Sequence, residues 1–154
     1  MEFIQTFTKR IHDYLLEEYK GGVKFRNGDT LMARITPSLE NGKTSYVDIL
    51  EENEIGFGST EFIVLREKEN VSDKHFLYYL AILPTIRFTA IKSMTRSSGR
   101  QRVQTDVVKE HVFDAPELNE QHAIASVLSS LDDKIDLLYR QNQTLEHMAE
   151  TLFR

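Results

Sequence analysis

A seven-residue repeat at the C-terminal end constrains this chain more than any other feature. Ile124, Leu131, Leu138, Leu145 and Leu152 recur every seven residues, and Leu128, Ile135, Asn142 and Ala149 follow four positions later at the same interval. On a helix the two sets fall along one narrow stripe, the d and a positions of a heptad. The pattern predicts a helix over 120–153, with Asn119 as its N-cap. At 1.5 Å per residue the rod is about 50 Å long. The stripe has to be buried, either on a partner helix or on the chain's own domain. The seam is narrower than the apolar face of a globular helix. Asn142 at an a position is also a residue type that fixes register and oligomeric state. Both features favour a partner, and a second identical chain forming a two-fold homodimer is the simplest one. The expected contact set is Ile124, Leu128, Leu131, Ile135, Leu138, Asn142, Leu145 and Leu152. The repeat does not give the direction of the partner helix.

Upstream of the repeat the signals are shorter. Phe3, Ile4, Phe7, Ile11, Tyr14 and Leu15 recur at helical spacing and predict an amphipathic helix over 2–19, with Gly21-Gly22 as its stop. That helix is the alternative, intrachain cover for the heptad seam. Asn27-Gly28-Asp29 reads as a turn, residues 31–35 as a strand closed by Pro37, and residues 44–50 as a second strand after the Asn41-Gly42 turn. Gly56-Phe57-Gly58 reads as a backbone turn leading into the strand 61–65. Ser72 and Asp73 mark a helix start before Phe76, Leu77, Leu80 and Leu83. A second short helix is predicted from 84 to about 94, a loop over 95–102 and a short strand over 107–114.

Charge is distributed unevenly. Residues 1–113 hold 16 Lys+Arg and 16 Asp+Glu and are neutral, whereas residues 114–154 hold 3 and 8, which accounts for the net −5. Within the neutral part, residues 85–105 carry Arg87, Lys92, Arg96, Arg100 and Arg102 and no acid. Such a local patch can oppose the net charge. The absence of cysteine excludes disulfides, thiolate metal sites and cysteine nucleophiles, and fits a cytoplasmic protein. No apolar run approaches the length of a membrane span, and no signal peptide is expected.

Two segments carry the side chains of a nucleic-acid contact. The first is Thr95-Arg96-Ser97-Ser98-Gly99-Arg100-Gln101-Arg102. Its arginines suit phosphates and guanine edges, and its hydroxyls and amides suit phosphate oxygens. The second runs from Arg34 to Lys43 and offers Arg34, Thr36, Ser38, Asn41 and Lys43. The ordinary alternatives are a solvated loop for the first segment and a hairpin connection for the second.

No catalytic constellation emerges. His12, His75, His111, His122 and His147 show no i,i+4 pair and no metal-motif spacing. A GxSxG elbow, a phosphate loop and a complete GxGxxG are all missing. Asp132-Asp133-Lys134 superficially matches a nuclease carboxylate pattern, but lies inside the long helix, where a solvated charged face is the simpler reading. No metal and no cofactor are expected.

Several strings together resemble the DNA specificity subunit of type I restriction–modification systems. They are Gly28-Asp29-Thr30-Leu31-Met32-Ala33-Arg34-Ile35-Thr36-Pro37 with Leu39-Glu40-Asn41-Gly42-Lys43, and Ile55-Gly56-Phe57-Gly58-Ser59-Thr60-Glu61-Phe62. Ser97-Ser98-Gly99-Arg100-Gln101-Arg102-Val103, Glu120-Gln121 with Ile124-Ala125, Leu131-Asp132-Asp133-Lys134-Ile135 and the ending Leu145-Glu146 to Leu152-Phe153 belong with them. The resemblance runs from about residue 20 to the end. It implies an α+β fold, with a small mixed target recognition domain over 1–116 and a long coiled-coil spacer and dimerisation helix over 117–154. It also implies sequence-specific binding of double-stranded DNA without catalysis, methyl transfer and cleavage belonging to methylation and motor/restriction subunits. Family members normally carry two recognition domains and two antiparallel spacer helices, so one of each implies a half-subunit or a fragment. An assembly or decoy protein, keeping the helix but binding DNA poorly, is the alternative.

Overall fold

The computed structural model describes residues 2–97 and 100–153. Five strands come first: β1 (Val23–Phe25), β2 (Thr30–Ala33), β3 (Thr44–Tyr46), β4 (Gly56–Gly58) and β5 (Phe62–Leu65). Helices α1 (Lys74–Ile82) and α2 (Pro84–Lys92), strands β6 (Thr95–Ser97) and β7 (Arg100–Arg102), and helices α3 (Thr105–Lys109) and α4 (Leu118–Leu152) complete the chain. This is the expected α+β architecture with a long C-terminal helix.

The centre is a three-stranded antiparallel sheet in the order β3-β2-β5, with Leu31 opposite Ser45 on one side and Val64 on the other. All four residues of β2 are buried. A strand covered on both faces reads as a continuous apolar run, and Leu31-Met32-Ala33 does so. Ile4, Leu39, Val47, Phe62, Ile63, Ala90 and Val103 pack with them in one cluster. Burying one such large aliphatic side chain contributes about 1.5–3 kcal/mol. The turn before β2 is held electrostatically. Asp29, 1% exposed, accepts two 2.7 Å bonds from the Arg66 guanidinium and one of 2.8 Å from the Arg26 N–H.

Asp73 caps α1 as expected, accepting from the Phe76 N–H at 2.7 Å. Several other expectations are corrected. Residues 2–19 are not a helix. Residues 7–10 there make backbone contacts with β3 and the residues just before it. The Tyr46 N–H donates to the Lys9 carbonyl (2.8 Å), the Phe7 N–H donates to the Gly42 carbonyl (3.2 Å), and Arg10 forms a parallel bridge with Tyr46. A helix would use those backbone groups internally, so the sheet and the helix compete for them. The glycine pair consequently serves a strand pair, not a helix end. Gly22 has φ +101°, and a Cβ there would collide with the Gly58 carbonyl. Gly56-Phe57-Gly58 is strand β4, paired antiparallel with β1, not a turn. Residues 95–102 include a β6–β7 hairpin pairing, not a plain loop. The short strand expected over 107–114 is replaced by the one-turn helix α3. Helix α4 begins at Leu118 with Glu117 as N-cap, which puts Asn119 inside its first turn.

Candidate nucleic-acid interface

The two segments singled out in the sequence are neighbours in space. Beyond β2 the chain continues alongside β7: Ile35 bridges Arg102, the Thr36 N–H donates to the Gln101 carbonyl (3.1 Å), and the Val103 N–H donates to the Arg34 carbonyl (2.8 Å). Thr36 Oγ1 in turn accepts from the Gln101 N–H at 3.1 Å. The β6–β7 hairpin is therefore an extension of the strand that leads into the 34–43 loop. That loop is compact, with the Leu39 N–H on the Ile35 carbonyl (3.1 Å), the Asn41 N–H on Pro37 (2.9 Å) and the Lys43 N–H on Ser38 (3.0 Å). Fully buried Leu39 anchors it to the core.

Within this surface the cations differ. Arg34 is half-buried and its Nη2 donates to the Val103 carbonyl at 3.1 Å, so it clamps the hairpin to β2. Arg102 keeps a half-exposed side chain but forms a bidentate pair with Glu61, with bonds of 2.6 to 3.0 Å. Asn41 is exposed, and Thr36, Ser38 and Lys43 are half-buried. Ser98 and Gly99 lie outside the described residues, as do the side chains of Arg96, Ser97 and Arg100. Arg87 was not among the expected contact residues, yet belongs here. Its Nη2 donates to the carbonyls of Leu39 (3.2 Å) and Glu40 (3.1 Å), and its guanidinium lies 5.1 Å from the Phe7 ring centroid. The acid-free stretch 85–105 was the sequence signal for it. No sequence signal pointed to Glu61 as the counter-ion of Arg102.

The expected dimerisation residues divide into two groups. Leu128 packs on the buried Tyr46–Tyr78–Tyr79 cluster of β3 and α1, and Ile124 is half-buried. Leu131, Ile135, Leu138, Leu145 and Leu152 are 46–78% exposed, and Asn142 is exposed as well. At about 100° per residue, the seam lies roughly 100° around α4 from the side facing α1. The domain therefore takes one face of α4 and leaves the seam open from Leu131 onward.

Asp132 and Asp133 correct a further expectation, since they are not a plain solvated face. Asp132 accepts from the Tyr79 hydroxyl (2.6 Å), and Asp133 accepts from Arg10 (2.7 Å). Among the described residues no group of His, Asp and Glu is arranged to hold a metal, and no helix is long and apolar enough to cross a membrane.

A family model described as the type I restriction modification DNA specificity domain matches residues 4–147. Over 130 residues the chain is 32% identical to the type I restriction enzyme HindI specificity subunit of Haemophilus influenzae, covering 84% of this chain and 28% of that protein. It is 29% identical over 160 residues to the EcoAI specificity subunit of Escherichia coli, covering 99% of this chain and 27% of that one. The crystal structure of the HsdS subunit from Thermoanaerobacter tengcongensis shares the fold, with a TM-score of 0.59 at 22% identity over 83% of this chain and 32% of that one. The chain thus spans between a quarter and a third of the length of these relatives.

Proposed function

This chain belongs to the type I restriction modification DNA specificity family, and on that premise we propose that it reads DNA sequence as a non-catalytic half of a specificity subunit. Residues 1–116 form the target recognition domain, and 117–154 form the spacer and dimerisation helix. Methyl transfer and cleavage fall to separate methylation and motor/restriction subunits that dock on it.

The observation that carries this reading is the backbone continuity between the 34–43 loop and β7. It brings together two segments whose residue types suit base edges and phosphates. On this reading Arg96, Ser97, Ser98, Arg100 and Arg102 contact DNA from one segment, and Arg34, Thr36, Ser38, Asn41 and Lys43 from the other. The exposure of the seam supports pairing as a two-fold homodimer, in which two identical domains read the same half-site on opposite strands. The target is then an interrupted palindrome. A rod of about 50 Å corresponds to roughly 15 base pairs between domain centres. Half-sites occupy part of that span, so the unread gap is shorter than one helical turn.

The test is selection of binding sites from random duplexes, with the partner methylation subunit present. Enrichment of two identical inverted half-sites is the expected result. One uninterrupted motif, or two different half-sites, would overturn the assembly. No enrichment at all, with the helix still pairing, would favour the assembly or decoy role.

A further inference from the structure

Besides the packing of Leu128 on the tyrosine cluster, helix α4 is bonded to the globular part of the chain through two separate polar clusters. The first is Gln121, 3% exposed. Its side-chain amide accepts from the Asp73 N–H (3.0 Å) and donates to the carbonyls of Val71 (3.1 Å) and Pro116 (2.9 Å). The second is Lys9, 9% exposed, reaching in from the N-terminal segment. Its Nζ donates to Ser129 Oγ (2.8 Å) and to the Tyr79 hydroxyl (2.9 Å), and lies 3.9 Å from Asp132. The rings of Tyr79, Tyr46 and Tyr78 surround it at 4.9, 5.7 and 5.7 Å. Two further pairs continue the contact on the same segment, Arg10 with Asp133 (2.7 Å) and His12 with Asp136 (3.9 Å).

Burying an ammonium is unfavourable unless it is paired, and burial holds Lys9 below its ordinary pKa of 10.5 against the raising effect of Asp132. An apolar side chain would fill the same volume without that cost. What it would lack is directional bonding to one turn of α4. The two fastenings sit about 12–16 Å apart along the helix axis. Apolar packing such as that of Leu128 holds the rod against the domain without direction, whereas buried directional bonds at two levels along its axis define its tilt. From residue 137 onward the described residues of α4 are exposed, so among them no later contact corrects its aim.

We propose that Lys9 is a positioning residue that fixes the angle at which α4 leaves the globular domain. On the specificity-subunit reading it thereby sets the spacing of the two half-sites. The lever is long: Asp132 to Leu152 spans about 30 Å. A change of about 10° moves its tip by about 5 Å, which is one to two base pairs.

The absence of cysteine makes the angle measurable. Thr85→Cys on α2 and Gln143→Cys on α4 give one spin-label pair, read by dipolar spectroscopy with a large excess of unlabelled chain, so that intrachain distances dominate. Lys9→Met should shift or broaden that distance by about 3 Å, since residue 143 lies about 16 Å beyond Asp132. Asp132→Asn keeps an acceptor for Tyr79 and should act in the same direction if Lys9→Met folds poorly. In site selection, Lys9→Met should retain the half-site sequence while its preferred gap shifts or spreads by one to two base pairs. A merely structural loss would lower affinity with the gap unchanged. Unaltered distances and an unaltered gap in both variants would overturn the proposal. A parent chain that enriches no sequence would overturn the specificity reading, and the label distances would then judge Lys9 alone.

Discussion

Thr36 and Gln101, 65 positions apart in sequence, are joined by two hydrogen bonds of 3.1 Å, one from the Thr36 N–H to the Gln101 carbonyl and one from the Gln101 N–H to Thr36 Oγ1. The second uses a side chain where a sheet ladder would use a backbone carbonyl. It ties the basic hairpin to the loop through a residue type that was attractive for base reading. Thr36 therefore has a structural role whatever it does toward DNA.

Replacing Thr36 by Val keeps the β-branched shape and removes the acceptor. The Gln101 N–H then loses its partner in a half-buried place, which should cost about 1 kcal/mol. Denaturant unfolding should show a lower midpoint at an unchanged slope. An unchanged midpoint would mean that the hairpin is held by the remaining backbone bonds alone.

Arg102 is committed to Glu61 in the free chain. On the proposed function, Glu61→Gln should release it toward phosphate and remove a repelling charge. Affinity for all duplexes should rise, and the salt dependence should steepen by roughly 0.9 per added contact. Replacing Arg96, Arg100 and Arg102 together by Ala should do the reverse. Identical salt slopes in parent, Glu61→Gln and the triple variant would take the hairpin out of the interface.

The elements legible in the sequence are those decided locally. The α4 repeat, the Asp73 cap and the apolar runs of β2 and β5 each contain their own signal. Residues 2–19 do not. Their apolar residues fall at helical spacing, but Ile4 is buried in the main core while Phe7, Tyr14, Leu15 and Leu16 are exposed. Backbone bonds to Tyr46 and Gly42 outweigh the periodicity. For the same reason Asp132 and Asp133 look like a solvated face, since their partners lie 123 positions away in the case of Arg10 and 53 in the case of Tyr79. The candidate interface takes the form of two lists of side chains in the sequence, and their juxtaposition is not legible there, because the Ile35–Arg102 and Glu61–Arg102 pairings leave no trace in either local pattern.

Titration should expose the cluster beneath α4. Burial pushes the Tyr46, Tyr78 and Tyr79 hydroxyls well above their ordinary 10.0, and nearby carboxylates push in the same direction. The folded chain keeps these protons where the unfolded chain sheds them, so stability is full below about pH 10 and is lost as pH rises beyond it. Lys9, lowered by burial, works the other way but is one group against three. Tyrosinate absorbance from this cluster should therefore appear together with unfolding. On the acid side, burial and then Lys9 lower the His75 pKa from 6.5. Stability should fall as pH drops below about 6.5, because the unfolded chain takes up the proton first. His75→Phe, which keeps a ring against Tyr46, should flatten that acid limb. An acid limb of the same steepness would show that His75 does not govern it.

The seam gives a prediction that separates pairing from folding. Leu128 belongs to the tyrosine cluster, whereas Leu131 and Leu138 are 57% and 46% exposed. Changing Leu131 and Leu138 to Glu places charges on a surface the chain itself does not cover. In an isolated chain that should alter stability little, since surface substitutions usually stay within about 0.5 kcal/mol. In a two-fold pair both charges of each chain would be buried against the partner, four in all. The parent chain should therefore scatter light as a dimer at micromolar concentration, and the double variant as a monomer with the same far-ultraviolet dichroism. Leu128→Glu, by contrast, should lower the melting temperature of the domain, because it disrupts packing on Tyr46, Tyr78 and Tyr79. Crosslinking through Asn142→Cys then reads direction. Parallel helices bring the two positions face to face at an a layer, and antiparallel helices set each against a d residue of the partner. A parent chain that is monomeric at that concentration would leave the exposed seam to another partner and end the homodimer reading.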